Sequence, residues 1–198
     1  MKEVGTVPAQ VRKTSSASRI LGAAGELFYT HGLRGVGMDR VIVEAGVAKS
    51  TLYAHFPTKE ALVAAYLRAT DESWREQLRA AAERAGSGPA EQLAGLFDAL
   101  LDAFARHGFF GCPFVSAAVE APLDSEARAI TIAHTERRNA WLTELAEAAG
   151  AAEPERLGRQ IGLLIDGALA SGRLLQDQSV VEEARDAARR LVAEHTRP

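Results

Sequence analysis

Catalytic chemistry finds few footholds in this chain. Its five histidines (His31, His55, His107, His134 and His195) show no HxxxH or HExxH spacing. Its one cysteine, Cys112, cannot build a CxxC metal site. Ser, His and Asp all occur, but without a nucleophile elbow, and no glycine-rich phosphate loop follows a strand. An enzyme is therefore not expected, and neither a metal nor a cofactor is implied. What stands out is a run of donors and cations in residues 38–59, MDRVIVEAGVAKSTLYAHFPTK. Two short helices meet there at Gly46, where the chain must turn tightly. Val41, Ala45, Val47 and Leu52 recur at spacings that bury them between those helices and against a preceding one. This is the logic of a helix-turn-helix: the first helix braces, and the second enters a major groove about 12 Å wide with its N-terminal residues toward base edges.

The elements that must hold this segment are helical throughout. Alternating β-branched runs are absent and three- and four-residue spacings dominate, so the fold class is all-α with about nine helices. A first helix begins near Ser16 and carries Ile20, Leu21, Ala24, Leu27 and Phe28 on one face, with Gly32 ending it. Two short helices follow, about 38–45 and 48–55. Pro57 closes the second, and Thr58 caps a long fourth helix to about Arg84. Beyond the break at Gly86-Ser87-Gly88-Pro89 come a striped fifth helix and a short sixth up to Glu120. A seventh to about Ala149 is expected to turn Ile130, His134, Trp141 and Leu145 to one side. An eighth spans about 154–171 and a ninth about 179–195. The organisation expected is a flexible basic arm (1–14), a helix-turn-helix domain (15–57) and a ligand-binding and dimerisation domain (58–198).

The stretch from Arg19 to Leu62 resembles the TetR family of transcriptional regulators. The likeness lies in the first helix (Arg19 to Phe28), His31-Gly32, and Ala45 to Leu62, which reads A-G-V-x-K-S-T-L-Y-x-H-F-x-x-K-E-x-L. The resemblance implies three helices in a DNA-binding head, a homodimer, and release from DNA when a small-molecule effector binds. By the same resemblance, Tyr53, His55 and Lys59 touch the DNA backbone, and Lys49, Ser50 and Thr51 face the bases. Those types suit the roles: a phenol and an imidazole donate hydrogen bonds, Lys59 adds charge at a helix N-terminus, and Lys49 can donate to a guanine edge. Arg12 and Lys13 are candidates for a minor-groove arm. The sequence departs from the family pattern at Ile42, where a small alanine is usual, and at Gly37, where Ser or Thr often caps the second helix.

The body offers two further expectations. Trp74, Phe97, Phe104, Phe110, Phe114, His134 and Trp141 are candidates to line a ligand cavity among the fourth to eighth helices, with Arg138 and Asp166 as polar anchors. Ile161, Leu164, Ile165 and Ala168 of the eighth helix, with Ala184, Ala188 and Leu191 of the ninth, are candidates for the dimer interface. Gly158 and Gly162 there allow close approach. The turn Gly111-Cys112-Pro113-Phe114 resembles a motif in the sensing domain of one TetR subgroup, though Cys112 reads more simply as packing than as a redox sensor.

Charge is distributed in keeping with this. Residues 1–60 hold eight Lys/Arg against five Asp/Glu, and the rest hold 15 against 21. A basic head on an acidic body suggests that only the head meets a polyanion. No run of apolar residues is long enough to span a membrane, and no signal-like stretch opens the chain, so a cytoplasmic protein is expected. The competing reading is a helical carrier or interaction protein whose head does not bind DNA.

Overall fold

The structure, a computed structural model, describes residues 15–105 and 109–196 of the chain. The arm, with Arg12 and Lys13, lies outside them. Among the described residues there are nine helices and no strand: α1 (Ser16–His31), α2 (Met38–Ala45), α3 (Lys49–His55), α4 (Lys59–Ala85), α5 (Pro89–Ala105), α6 (Pro113–Glu120), α7 (Glu126–Ala148), α8 (Pro154–Leu175) and α9 (Ser179–His195). None is long and apolar enough to cross a membrane.

Local chemistry fixes the helix ends. Ser15 caps α1 by accepting from the Ser18 amide at 3.1 Å, and Thr58 caps α4 by accepting from the Ala61 amide at 3.1 Å. Gly46 closes α2 in the left-handed region, at φ 60°. Its amide donates to Val43 O, and the Val47 amide donates to Ile42 O. These two bonds satisfy carbonyls that the helix leaves open and turn the chain directly into α3. α8 runs one turn past the expected Ser171, and Gln176 ends it in the left-handed region.

Two apolar cores result. The head core joins Ile20, Ala24, Leu27 and Phe28 of α1 to Val41 and Ala45 of α2 and Leu52 of α3. It is completed from the body, by Leu62, Val63, Tyr66 and Leu67 of α4 and by Phe114 and Ala117 of α6. The body core is built from Leu93, Leu96, Phe97 and Leu100 of α5, Leu142 of α7, Leu157, Ile161 and Ile165 of α8, and Val181 and Ala188 of α9. Cys112 packs against both.

The buried face of α7 is not the one that the apolar residues suggest. Ala127, Thr131, His134, Arg138, Leu142 and Ala146 point inward, while Ile130, Trp141 and Leu145 are only half-buried. Polar residues can be buried there because they are paired. His134 Nδ1 lies 2.7 Å from Asp71 Oδ1 on α4, and Arg137 donates to Asp71 Oδ2 at 2.6 Å. Arg138 makes a two-pronged contact with Asp166 on α8, at 2.5 and 2.9 Å. Phe114 of α6 stacks on the His134 ring at 3.7 Å. One polar cluster thus ties α4 to α7, under α6.

Burial pushes the His134 imidazole below its ordinary 6.5, against the opposing pull of Asp71. Burial alone would raise the Asp71 carboxyl, but the hydrogen bonds from His134 and Arg137 outweigh it and hold it below 3.8. Both folded values are depressed, so the unfolded chain takes up these protons first as pH falls. The His134 contribution to stability is complete above 6.5 and is lost as pH falls from there through the folded value. Denaturant unfolding as a function of pH should therefore show stability declining below that point. His134→Gln, which keeps a donor for Asp71, should show a shallower decline; an unchanged pH profile would refute the assignment.

Candidate functional site

The outer face of the head is set by which side of α3 is sealed. Leu52 is 0% exposed, fixed between α1, α2 and α4. A seven-residue helix with one side so anchored must present the other to solvent. Lys49, Ser50, Tyr53 and His55 are exposed, and Thr51 is half-buried at the edge. The helix turns its N-terminal residues and Tyr53 outward together.

Charge and hydrogen bonding on this face are loosely held. Lys49 Nζ is 3.4 Å from Asp39 Oδ1, both side chains being largely exposed, and lies 6.0 Å from the Tyr53 ring centre. Exposed pairs of this kind are weak, so the ammonium can exchange Asp39 for an incoming acceptor at little cost. Lys59 is half-buried in the first turn of α4, beside amides that favour an anion. Gly37 caps α2 without a side-chain bond, and Ile42 packs half-buried against the head core. Sequence reasoning passed over Arg40, which is exposed in the head and whose Nη2 lies 2.7 Å from His31 Nε2. An arginine in the first turn of the bracing helix was the available signal.

The head is also pinned to the body. The Arg34 amide donates to Glu120 Oε2 at 2.7 Å and Arg34 Nε to Glu120 O at 3.1 Å, joining the α1–α2 connection to the end of α6. Tyr29 of α1 accepts from the Phe110 amide at 3.2 Å and meets the Phe110 ring edge-on at 5.4 Å.

The residues expected around a ligand cavity separate into two groups. Trp74, Phe110 and Phe114 do line a cavity, of about 680 Å³; it is bounded by α4, the α5–α6 connection and α6, with Ala103 of α5 and Leu169 of α8, and by α1, which was not expected there. The others serve packing. Phe97 is 0% exposed in the body core, and Phe104 stacks on Phe109 at 3.8 Å. Trp141 packs at the core's edge under Arg79. None of His134, Arg138 and Asp166 lines this cavity: His134 is engaged with Asp71, and Arg138 with Asp166, which borders a second hollow. A smaller hollow of about 420 Å³ lies between α6 and α8, with Cys112 shared by both. Burial raises the Cys112 thiol, against the lowering effect of the Val115 and Phe114 amides, which keeps it protonated and disfavours a sensing role. Among the described residues, no three His, Cys, Asp or Glu side chains gather as a metal site.

The expected interface residues also change place. Ile161, Ile165, Ala168 and Ala188 are sealed in the chain's own core, so their side chains are not available to a second copy. Leu164, Ala184 and Leu191 are half-buried at its margin. Gly158 and Gly162 serve the contact of α8 with α7: a Cβ at Gly158 would stand 2.9 Å from Thr143 Oγ1, and one at Gly162 would stand 3.0 Å from Asn139 Oδ1. The apolar stripe left open on α8 is Leu163, Gly167, Ala170 and Leu174, with Leu163 70% and Leu174 82% exposed.

Known proteins share this arrangement. The family model described as bacterial regulatory proteins, tetR family, matches residues 20–66. The chain is 34% identical over 113 residues to the HTH-type transcriptional regulator LmrA of Bacillus subtilis, a match covering 56% of this chain and 60% of that protein. It is 36% identical over 78 residues to the regulator RutR of Escherichia coli, covering 39% and 37%. The match thus spans less than two thirds of either. Over nearly the whole length it follows SCO4454, a TetR-family transcriptional regulator from Streptomyces coelicolor. The identity is 31%, the coverage 92% of this chain and 96% of that one, and the TM-score 0.84. A TetR regulator from Chloroflexus aurantiacus superposes with a TM-score of 0.80 over 91% of this chain and 95% of that one; at 21% identity this likeness speaks for the fold alone.

Alanine at Tyr53 or Lys59 should weaken DNA binding across all sequences, by about 1 kcal/mol or fivefold per half-site, and Lys59→Ala should also reduce the salt slope by about 1. Lys49→Ala should change the preferred sequence as well as the affinity. Fluorescence anisotropy on a selected duplex and its point variants reads both effects, and normal binding by the Tyr53 and Lys59 variants would exclude this face.

Proposed function

Because the chain belongs to the TetR family of transcriptional regulators, we propose that it binds a palindromic operator as a homodimer and represses transcription until a small molecule releases it. The observation that carries this reading is the outward face of α3, with Lys49, Ser50 and Tyr53 exposed above a wholly buried Leu52. A carrier or interaction protein would have no use for a short helix held rigidly from behind with donors at its free N-terminal end.

Surface chemistry and the family support dimerisation. The α8 stripe of Leu163, Gly167, Ala170 and Leu174 is apolar and uncovered, and a contiguous apolar surface favours a partner. A two-fold axis beside α8 makes one patch serve both copies and sets the heads about one helical turn of DNA apart or a multiple of it. Leu164 and Leu191 then lie at the rim of the contact rather than at its centre.

Release by an effector is a shift between states that differ in head spacing. Reversing occupancy fully takes a preference of about 5.5 kcal/mol for the released state. α4 spans from the DNA-facing turn at Lys59 into the body core, and α6 is joined to the head through Glu120 and Arg34. Both are suited to carry such a shift.

Selection from a random pool of duplexes should return a palindrome whose binding weakens steeply with salt. Recovery of no sequence, or of binding indifferent to salt, would leave the carrier reading in its place. Leu163→Glu should give a monomer by light scattering, and that monomer should bind the selected duplex far more weakly; a dimer that persists would remove α8 as the interface.

A further inference from the structure

The cavity of about 680 Å³ is walled on one side by the head and on the other by the body. α1 contributes Gly22, Gly25 and Tyr29. α4 contributes Tyr66, Thr70 and Trp74, the α5–α6 connection contributes Phe109 and Phe110, and α6 contributes Phe114. Its size suits a small-molecule site, and its lining, aromatic with a few hydroxyls and amides, is of the kind that holds one. The described residues that line it include no Lys, Arg or His, and one acid, Glu26.

The two glycines of α1 are the unusual feature. Each costs a helix interior about 1 kcal/mol relative to alanine. Packing does not require either of them. A Cβ at Gly22 would meet nothing within 4 Å, and a Cβ at Gly25 would make ordinary contact with the Tyr66 ring at 3.6 Å. What the missing side chains do is leave the wall of the cavity open. On the body side Phe97 is sealed in the core, and Phe109, stacked on Phe104, forms part of the cavity wall.

We infer that this cleft between α1 and α4 is the effector site, and that it takes a flat aromatic molecule bearing no negative charge. The inference rests on the reading of the chain as a ligand-responsive regulator. Six aromatic side chains, Tyr29, Tyr66, Trp74, Phe109, Phe110 and Phe114, supply apolar area and π faces, and an anion would find no countercharge in the described lining. A molecule seated there touches head and body at once. It sets the spacing of α1 from α4, and α3 is packed on α1. It also meets Phe110 and Phe114, which lead through α6 to the Glu120–Arg34 contact with the head.

The test uses the full chain carrying Trp141→Phe, so that Trp74 is its sole tryptophan. Aminoanthracene, a neutral three-ring probe, should quench Trp74 saturably, and anilinonaphthalene sulfonate, of similar size but anionic, should bind more weakly. Gly25→Leu and Gly22→Leu should each keep the helical circular dichroism and DNA binding while weakening aminoanthracene at least about tenfold, or 1.4 kcal/mol. Aminoanthracene should reduce binding of the selected duplex by the parent and not by these variants. Absent quenching, unchanged affinity in both glycine variants, or tighter binding of the sulfonate would overturn the inference and leave the DNA-binding reading intact. Failure to select any duplex would overturn that reading instead, while the quenching would still judge the cleft.

Discussion

The apolar face of α1 has to be covered, and α2 and α3, with eight and seven residues, are too short to cover it. The remaining cover comes from the first turns of α4, through Leu62, Val63, Tyr66 and Leu67, and from Phe114 and Ala117 of α6. The head is therefore not a separate bead on a linker. Its core closes only when the body is in place, so any change in how α4 or α6 lies against α1 is felt by the helix that α1 supports. That dependence is what the proposed coupling of a ligand to DNA would use.

The joints between the two cores are polar and specific where the cores themselves are apolar. Arg34 and Glu120 join the α1–α2 connection to one end of α6, and Tyr29 meets the Phe110 amide just before its other end. Phe114 stacks on His134, which is held by Asp71 of α4. α6 is thus an eight-residue strut with contacts to the head, the cleft and the α4–α7 polar cluster. Removing one partner from such a buried cluster is costly because the other is left unpaired, which favours discrete arrangements over gradual ones.

Much of this could be read from the residues. The helix ends at Gly46 and Thr58 follow from capping chemistry, the first cap falls on Ser15, one residue before the expected Ser16, and the inward position of Leu52 follows from spacing. The family was visible in the offsets from Ala45 to Leu62. The face of α7 was not legible, because its buried positions include His134 and Arg138, whose partners Asp71 and Asp166 lie on α4 and α8, and Thr131, which donates to Ala127 O of its own helix. The interface residues of α8 were misplaced for a related reason. A wide apolar stripe with Gly158 and Gly162 fits packing on α7 as well as packing on a second copy, and sequence alone does not separate them. The cavity was sought in the body because aromatics were counted without their partners. The signal for the part of the hollow that α1 walls was Gly22 and Gly25, two glycines three residues apart in an otherwise good helix.

Hydrogen exchange on the full chain, with and without the selected duplex, tests the central claim most directly. If the outer face of α3 meets DNA from a head closed by the body, added protection should fall on α3 and the first turn of α4. In the free protein, α1 and the first half of α4 should open together as one unit. Protection confined to the body, or a head that opens while α4 stays closed, would contradict the account.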